Sequence, residues 1–173
     1  MNREQLHATF AESFAVGSSA LIPEEALSQA EVELQTLFPA SFVGFAKRVG
    51  AIFTPGILDL VTGGESEVAP PDASFDVQNF FTAEEIIDTT RTYHDGGMDP
   101  WFIAIASDCM GNVFGFRQHR DSPRLDDAAL MVFDHDFNKV DLEAESFDAW
   151  LTSFLRMKEE TQQVGAGDAE EAV

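Results

Sequence analysis

WFIAIASDCMGNVFGF, residues Trp101 to Phe116, sets the frame for the whole chain. Two apolar runs, Trp101 to Ala106 and Val113 to Phe116, flank Asp108, Cys109, Met110, Gly111 and Asn112, a stretch rich in the residues that turns require. The pattern predicts a β-hairpin. The first run is apolar at nearly every position, so both of its faces should be covered, which places it at the centre of a sheet rather than at an edge.

On the N-terminal side, Phe81-Thr82-Ala83-Glu84-Glu85-Ile86 carries a complete helix-start signal. Thr82 stands at the N-cap, Glu85 completes a capping box, and Phe81 is placed to staple onto Ile86. The spacing predicts a helix from Ala83 to about Tyr93, stopped by Asp95-Gly96-Gly97. Further back, Leu6, Phe10 and Phe14 recur every four residues between Arg3 and Val16, one face of a leading helix that Gly17-Ser18-Ser19 ends. Pro23-Glu24-Glu25 opens a second helix, with Leu27, Ala30, Leu34 and Leu37 as its stripe. After Phe38-Pro39 the period resumes at Phe42, Phe45, Ala46 and Val49, and Gly50 follows as a helix stop. Ile52-Phe53 and Ile57 to Val61 read as short strands, and Gly63 to Asp76 as a solvated loop.

On the C-terminal side, Gln118 to Asp127 is polar and loop-like, Ala129 to Phe133 is a further apolar run, and Asp134 to Asn138 is a turn. Ser146 then caps a helix whose Phe147, Trp150, Leu151, Phe154 and Leu155 form one face. From Glu159 the chain turns acidic, small and aperiodic, and Gly165 to Val173 is expected to be disordered. The order is helices, then strands with one inserted helix, then a closing helix. The expected fold is α+β, with an antiparallel-rich sheet of about five to six strands.

At 173 residues the chain has the size of one domain, burying roughly 70% of the surface its unfolded form exposes. Its aromatic bulk is 16 Phe against one Tyr and two Trp, which favours packing without polar tips. The lone Cys109 excludes an internal disulfide and fits a reducing compartment. No apolar run approaches the ~18 residues of a membrane span, and no signal-peptide pattern opens the chain, so a cytoplasmic location is expected. The formal charge is −21, from 31 acidic and 10 basic residues. A field of that sign disfavours nucleic acid and anionic membrane as partners and favours a basic protein.

Four arrangements of residues bear on chemistry. Asp134, Asp136, Asn138 and Glu145 match positions 1, 3, 5 and 12 of a calcium loop, but Lys139 occupies the required glycine and Asp141 an apolar position. An acidic turn between strands is the better reading. Cys109 with His119 or His135 lacks any nucleophile signature, and acidic neighbours disfavour its thiolate. His7, His94, His119 and His135 lack metal-ligand spacing, so no metal or cofactor is expected. What remains is acid. Asp121, Asp126 and Asp127 lie in one loop, Asp134 and Asp136 in the next turn, and Glu65 and Glu67 in the long loop. On one edge of the sheet they would form a patch that steers a basic partner.

This ordered set of landmarks resembles the SUKH superfamily. The matching residues are an acidic helix ending in Leu37-Phe38-Pro39, then Phe42 to Phe45, then Ile103-Ala104-Ile105-Ala106-Ser107-Asp108 with Gly111. Val132 to His135 follows as a strand ending in His, and Ser146-Phe147 with Trp150 and Leu151 opens the last helix. Phe42 replaces a usual Tyr, and Val49-Gly50-Ala51 a usual Asn-Gly-Gly. The resemblance implies a non-enzymatic binding domain over residues 21–157, preceded by a leading helix and linker (1–20) and followed by an acidic disordered tail (158–173). It further implies an immunity protein that neutralises a cognate bacterial toxin, often a nuclease. The alternative it leaves open is a regulatory or scaffold module like the fungal cell-wall-synthesis regulators. Oligomeric state is not legible in the sequence.

Overall fold

The predicted hairpin lies at the middle of the sheet in the computed structural model, which describes residues 1–57, 76–118 and 121–168, the side chains of 161–168 excepted. Seven antiparallel strands stand in chain order across the sheet: β1 (Val16–Ala20), β2 (Ala51–Phe53), β3 (Asn79–Phe80), β4 (Phe102–Ser107), β5 (Val113–Arg117), β6 (Leu130–Asp134) and β7 (Lys139–Ala144). Among the described residues the helices are α1 (Arg3–Phe14), α2 (Glu24–Leu34), α3 (Ala40–Arg48), α4 (Ala83–Asp95) and α5 (Phe147–Asp168). The fold is α+β, with somewhat more strands than the sequence suggests.

β4 is buried over its whole length except Ser107, as its unbroken apolar run requires. It pairs with β5 through Ile103 and Phe116, Ala104 and Gly115, and Ser107 and Val113, with a register shift after Ala104. A Cβ on Gly115 would stand 1.8 Å from the Ile103 carbonyl oxygen, so only glycine allows this approach. At the shift, Thr90 of α4 accepts a hydrogen bond from the Ala104 amide at 3.0 Å, which satisfies a buried donor.

The two sheet faces are covered unequally. Ile103, Ile105, Phe114, Phe116, Leu130 and Val132 belong to the main core, with Phe10 and Phe14 of α1, Phe42 and Phe45 of α3, and Phe147, Trp150 and Phe154 of α5. Phe147 meets Phe42 edge-on at 5.7 Å and Phe45 at 5.4 Å. Burial of each such ring contributes roughly 1.5–3 kcal/mol, and edge contacts add to it. The opposite face holds a smaller cluster of Met98, Phe102, Ala104, Val113 and Phe133, beneath α4.

The capping box at Thr82 is present, with the Glu85 amide donating to Thr82 Oγ1 at 3.2 Å and the Thr82 amide to Glu85 Oε2 at 2.8 Å. Ser146 caps α5 by accepting from the Ala149 amide at 3.1 Å. A second capping box, Asn2 with Gln5, starts α1. Three expectations change. Residues 16–20 form an edge strand rather than a linker, pairing Val16 with Phe53 and Ala20 with Ala51. Residues 158–168 continue α5 instead of joining a disordered tail. There the apolar period lapses, but Glu and Gln propagate a helix already nucleated on the core. Leu37 lies beyond α2, which ends in a left-handed turn at Gln35. The expected strand residues 58–61, most of the loop 63–76 and residues 169–173 lie outside the described residues.

Candidate protein-interaction surface

In an antiparallel meander, alternate connections fall at opposite ends of the sheet. The β4–β5 turn (108–112) and the β6–β7 turn (135–138) therefore share one end, and the β5–β6 loop lies at the other. The acidic residues singled out from the sequence are split by this arrangement and do not form one patch. Asp121, Asp126 and Asp127 belong to the loop end, and Asp134 and Asp136 to the turn end. Glu65 and Glu67 lie outside the described residues.

At the loop end, the chain uses most of its acid internally. Asp127 Oδ1 accepts from Ser41 Oγ at 2.7 Å, the Ala128 amide at 2.9 Å and the Phe147 amide at 3.1 Å, while Oδ2 accepts from the Asp148 amide at 3.3 Å. Its carboxylate thus anchors the start of α5 near the positive end of the helix dipole. The Leu125 and Asp126 carbonyls accept from the first amides of α3, Ala40 and Ser41, each at 2.9 Å. Asp126 forms a forked pair with Arg3 at 2.9 and 3.1 Å, and the guanidinium holds its carboxyl below the usual carboxylate range. Asp121 is exposed.

Beneath this layer, Arg3 Nε also donates to Asp148 at 2.6 Å, and His7 Nε2 lies 2.9 Å from the other carboxylate oxygen. A carboxylate only accepts, so His7 carries its proton on Nε2 and donates it. Its ring is fully buried between Phe45 and Phe147, and Nδ1 has no partner. Burial lowers the His7 pKa from the ordinary histidine value, and Asp148 opposes part of that shift.

The turn end is arranged differently. Asp108, itself buried, accepts from the Met110 amide at 2.8 Å, the Asn112 amide at 2.9 Å and Asn112 Nδ2 at 2.7 Å. Gly111 takes φ +97, and a Cβ there would press on the His135 ring at 3.2 Å. Tyr93 Oη of α4 donates to the Gly111 carbonyl at 2.6 Å, and the His135 amide donates to Asn112 Oδ1 at 3.3 Å. Burial, with Asp108 nearby, raises the Tyr93 pKa, so the phenol keeps the proton it donates. Both turns and the end of α4 are thereby tied into one surface.

That surface contains an open groove of about 540 Å³ lined by Thr92, Tyr93, Gly96, Phe133, His135 and Asn138. Met110 and Phe137, 67% and 79% exposed, stand on the two turns, and Leu142, 61% exposed, lies on β7. Leu142 pairs with half-buried Met131, and Val140 with Phe133, so these four share the sheet face on which α4 packs, with Leu142 exposed on the edge strand. Asp134 is half-buried and engaged within its own turn, accepting from the Asp136 amide at 3.0 Å and the Phe137 amide at 3.2 Å. The Asp136 side chain is 70% exposed, with His135 Nε2 at 3.2 Å.

Sequence reading found the acids here and missed the apolar positions. Phe137 stands among polar residues with no period, and only its situation on a rigid turn marks it. The calcium spacing is broken because Lys139–Ala144 form β7, which separates Glu145 from Asp134 and Asp136. Cys109 is exposed, while His135 Nδ1 faces Asn112 Oδ1 at 3.3 Å, and His119 lies outside the described residues. Among the described residues no His, Cys, Asp and Glu side chains group as a metal site, and no helix is long and apolar enough to cross a membrane.

No curated protein matches the chain. A family model does match, over residues 21–153, and that span runs from just before α2 into α5 and takes in β2 to β7 with both ends of the sheet. The chain therefore belongs to the SMI1 / KNR4 family (SUKH-1).

Proposed function

We propose that this protein is a non-enzymatic immunity protein, acting in the cytoplasm, that binds a cognate bacterial toxin stoichiometrically and neutralises it. The family match over residues 21–153 carries this reading, because membership supports a protein-interaction role, as immunity protein or regulator. The charge of −21 supports the choice of a basic target. A toxin that acts on nucleic acid presents a surface suited to phosphate, and carboxylates compete for such a surface and accelerate encounter with it.

The test is co-expression with the toxin encoded in the adjacent reading frame. Rescue of growth together with a stoichiometric complex on size exclusion is the expected result. A neighbouring toxin that is neither bound nor inhibited overturns the toxin reading. Binding to several host proteins in its place would favour the regulatory alternative.

A further inference from the structure

We propose that the turn end of the sheet is the docking surface of this protein, and that its occupant is a basic protein segment that seats an apolar side chain in the Tyr93–Phe133–His135 groove. This deepens the function proposed above and rests on it for the identity of the natural partner.

The two ends of the sheet differ in what is left to offer. At the loop end Asp126 and Asp127 are engaged by Arg3, Ser41 and the first amides of α5, so a partner would have to displace bonds on which the fold depends. At the turn end the groove is already formed, held by the Tyr93–Gly111 and Asn112–His135 bonds, which lowers the ordering cost of binding. Its floor is aromatic, with Tyr93 edge-on to Phe133 at 5.8 Å. Phe137 stands on the turn that supplies His135 and Asn138 to the groove, Met110 on the neighbouring turn and Leu142 on β7 after Val140, the partner of Phe133. All are exposed apolar side chains, and one is an aromatic of the kind enriched in protein interfaces.

Charge selects the occupant. Asp136 is exposed on the same turn as Phe137, Asp95 is exposed at the end of α4, and the negative end of the α4 dipole opens where Thr92 and Gly96 line the groove. Lys139, the nearest cation in sequence, is paired with Asp141 at 2.8 Å. A second copy of the chain would bring a further −21 to the same place and is disfavoured by repulsion. A Lys- or Arg-rich segment with one aromatic or aliphatic side chain satisfies both the groove and its rim.

The experiment has two arms, each run with the full chain. In the first, the toxin encoded beside this protein is titrated against wild type, F137D, L142D and, at the opposite end, D121N. Losses of at least about tenfold in affinity for F137D and L142D, with D121N within about twofold of wild type, are expected. Wild-type binding that F137D and L142D leave unchanged overturns the surface and leaves the toxin reading intact. The second arm needs no toxin: a phage library of Lys/Arg-rich peptides, each with one varied apolar position, is selected on wild type. Selected peptides should perturb the amide resonances of Tyr93, Phe133 and Phe137 and lose binding to F137D. Failure to select any peptide, or selection of peptides indifferent to F137D, overturns the proposal even if the toxin binds. Concentration-dependent dimerisation abolished by F137D would assign the face to a second copy and also overturn it. Thermal unfolding of F137D close to wild type shows that lost binding is not lost folding.

Discussion

Asp127 and Asp136 lie at opposite ends of the same strand, one shortly before β6 and one shortly after it. Asp127 is surrounded by donors: a serine hydroxyl, its neighbour's amide and the first two amides of α5. Asp136 has a single histidine nitrogen beside it and otherwise faces solvent. The difference comes from what converges on each end. Three helices begin at the loop end, each with amides that need acceptors, whereas the turns after β4 and β6 and the C-terminus of α4 meet at the turn end. Asp127 belongs to the fold, and Asp136 to the surface.

The sharpest way to break this comparison is D127A. It removes the side-chain acceptor of the Ser41 hydroxyl and of the Ala128 and Asp148 amides, while the Phe147 amide keeps the Ala128 carbonyl at 3.0 Å. A loss of about 3 kcal/mol is expected in urea denaturation, from a lost cap plus unsatisfied buried groups. An effect below about 0.5 kcal/mol would show that the loop end does not depend on its acid. D108A should come next, at about 2 kcal/mol, because the turn end also has one aspartate turned inward. Its signature should be local: amide exchange at Met110 and Asn112, the two backbone donors it frees, should accelerate more than exchange in α1.

The His7–Asp148 contact gives a smaller, pH-dependent effect. The folded pKa of His7 lies below its unfolded value of about 6.5, so in that interval the unfolded chain binds more protons. Stability from this group is complete above the ordinary histidine pKa and is lost as pH falls below it. Denaturation midpoints measured from pH 7.5 downward should decline across this window in wild type and less steeply in H7Q. Asp126, held low by Arg3, loses its contribution only further down, as pH falls through the carboxylate range. The smallest effects on stability belong to F137A and D136N, each within about 0.5 kcal/mol of wild type as exposed positions usually are. A cost there as large as that of D127A would erase the distinction between the ends.

Much of the fold is legible because its signals are local. The Thr82 capping box, the Ser146 cap, the turn chemistry of Asp108 and Gly111, and the spacing of Phe147, Trp150 and Phe154 each depend on residues a few positions apart. β1 was not legible, since Val16-Gly17-Ser18-Ser19-Ala20 has neither alternation nor β-rich composition and is exposed throughout. It is a strand because β2 offers it a partner. β7 is hidden in the same way, with Lys139, Asp141 and Glu143 alternating along an edge, as charged edge strands do.

By itself the sequence determined the hairpin at the centre of the sheet, the helix boundaries that caps define, the apolar faces and the excess of negative charge. Only the tertiary structure decided which aspartates remain available to another molecule. Asp121, Asp126, Asp127, Asp134 and Asp136 read alike along the chain, but the meander sends the first three and the last two to opposite ends. A carboxylate becomes structural where unsatisfied amides and an arginine converge on it, and those donors arrive from α1, α3 and α5, far away in sequence.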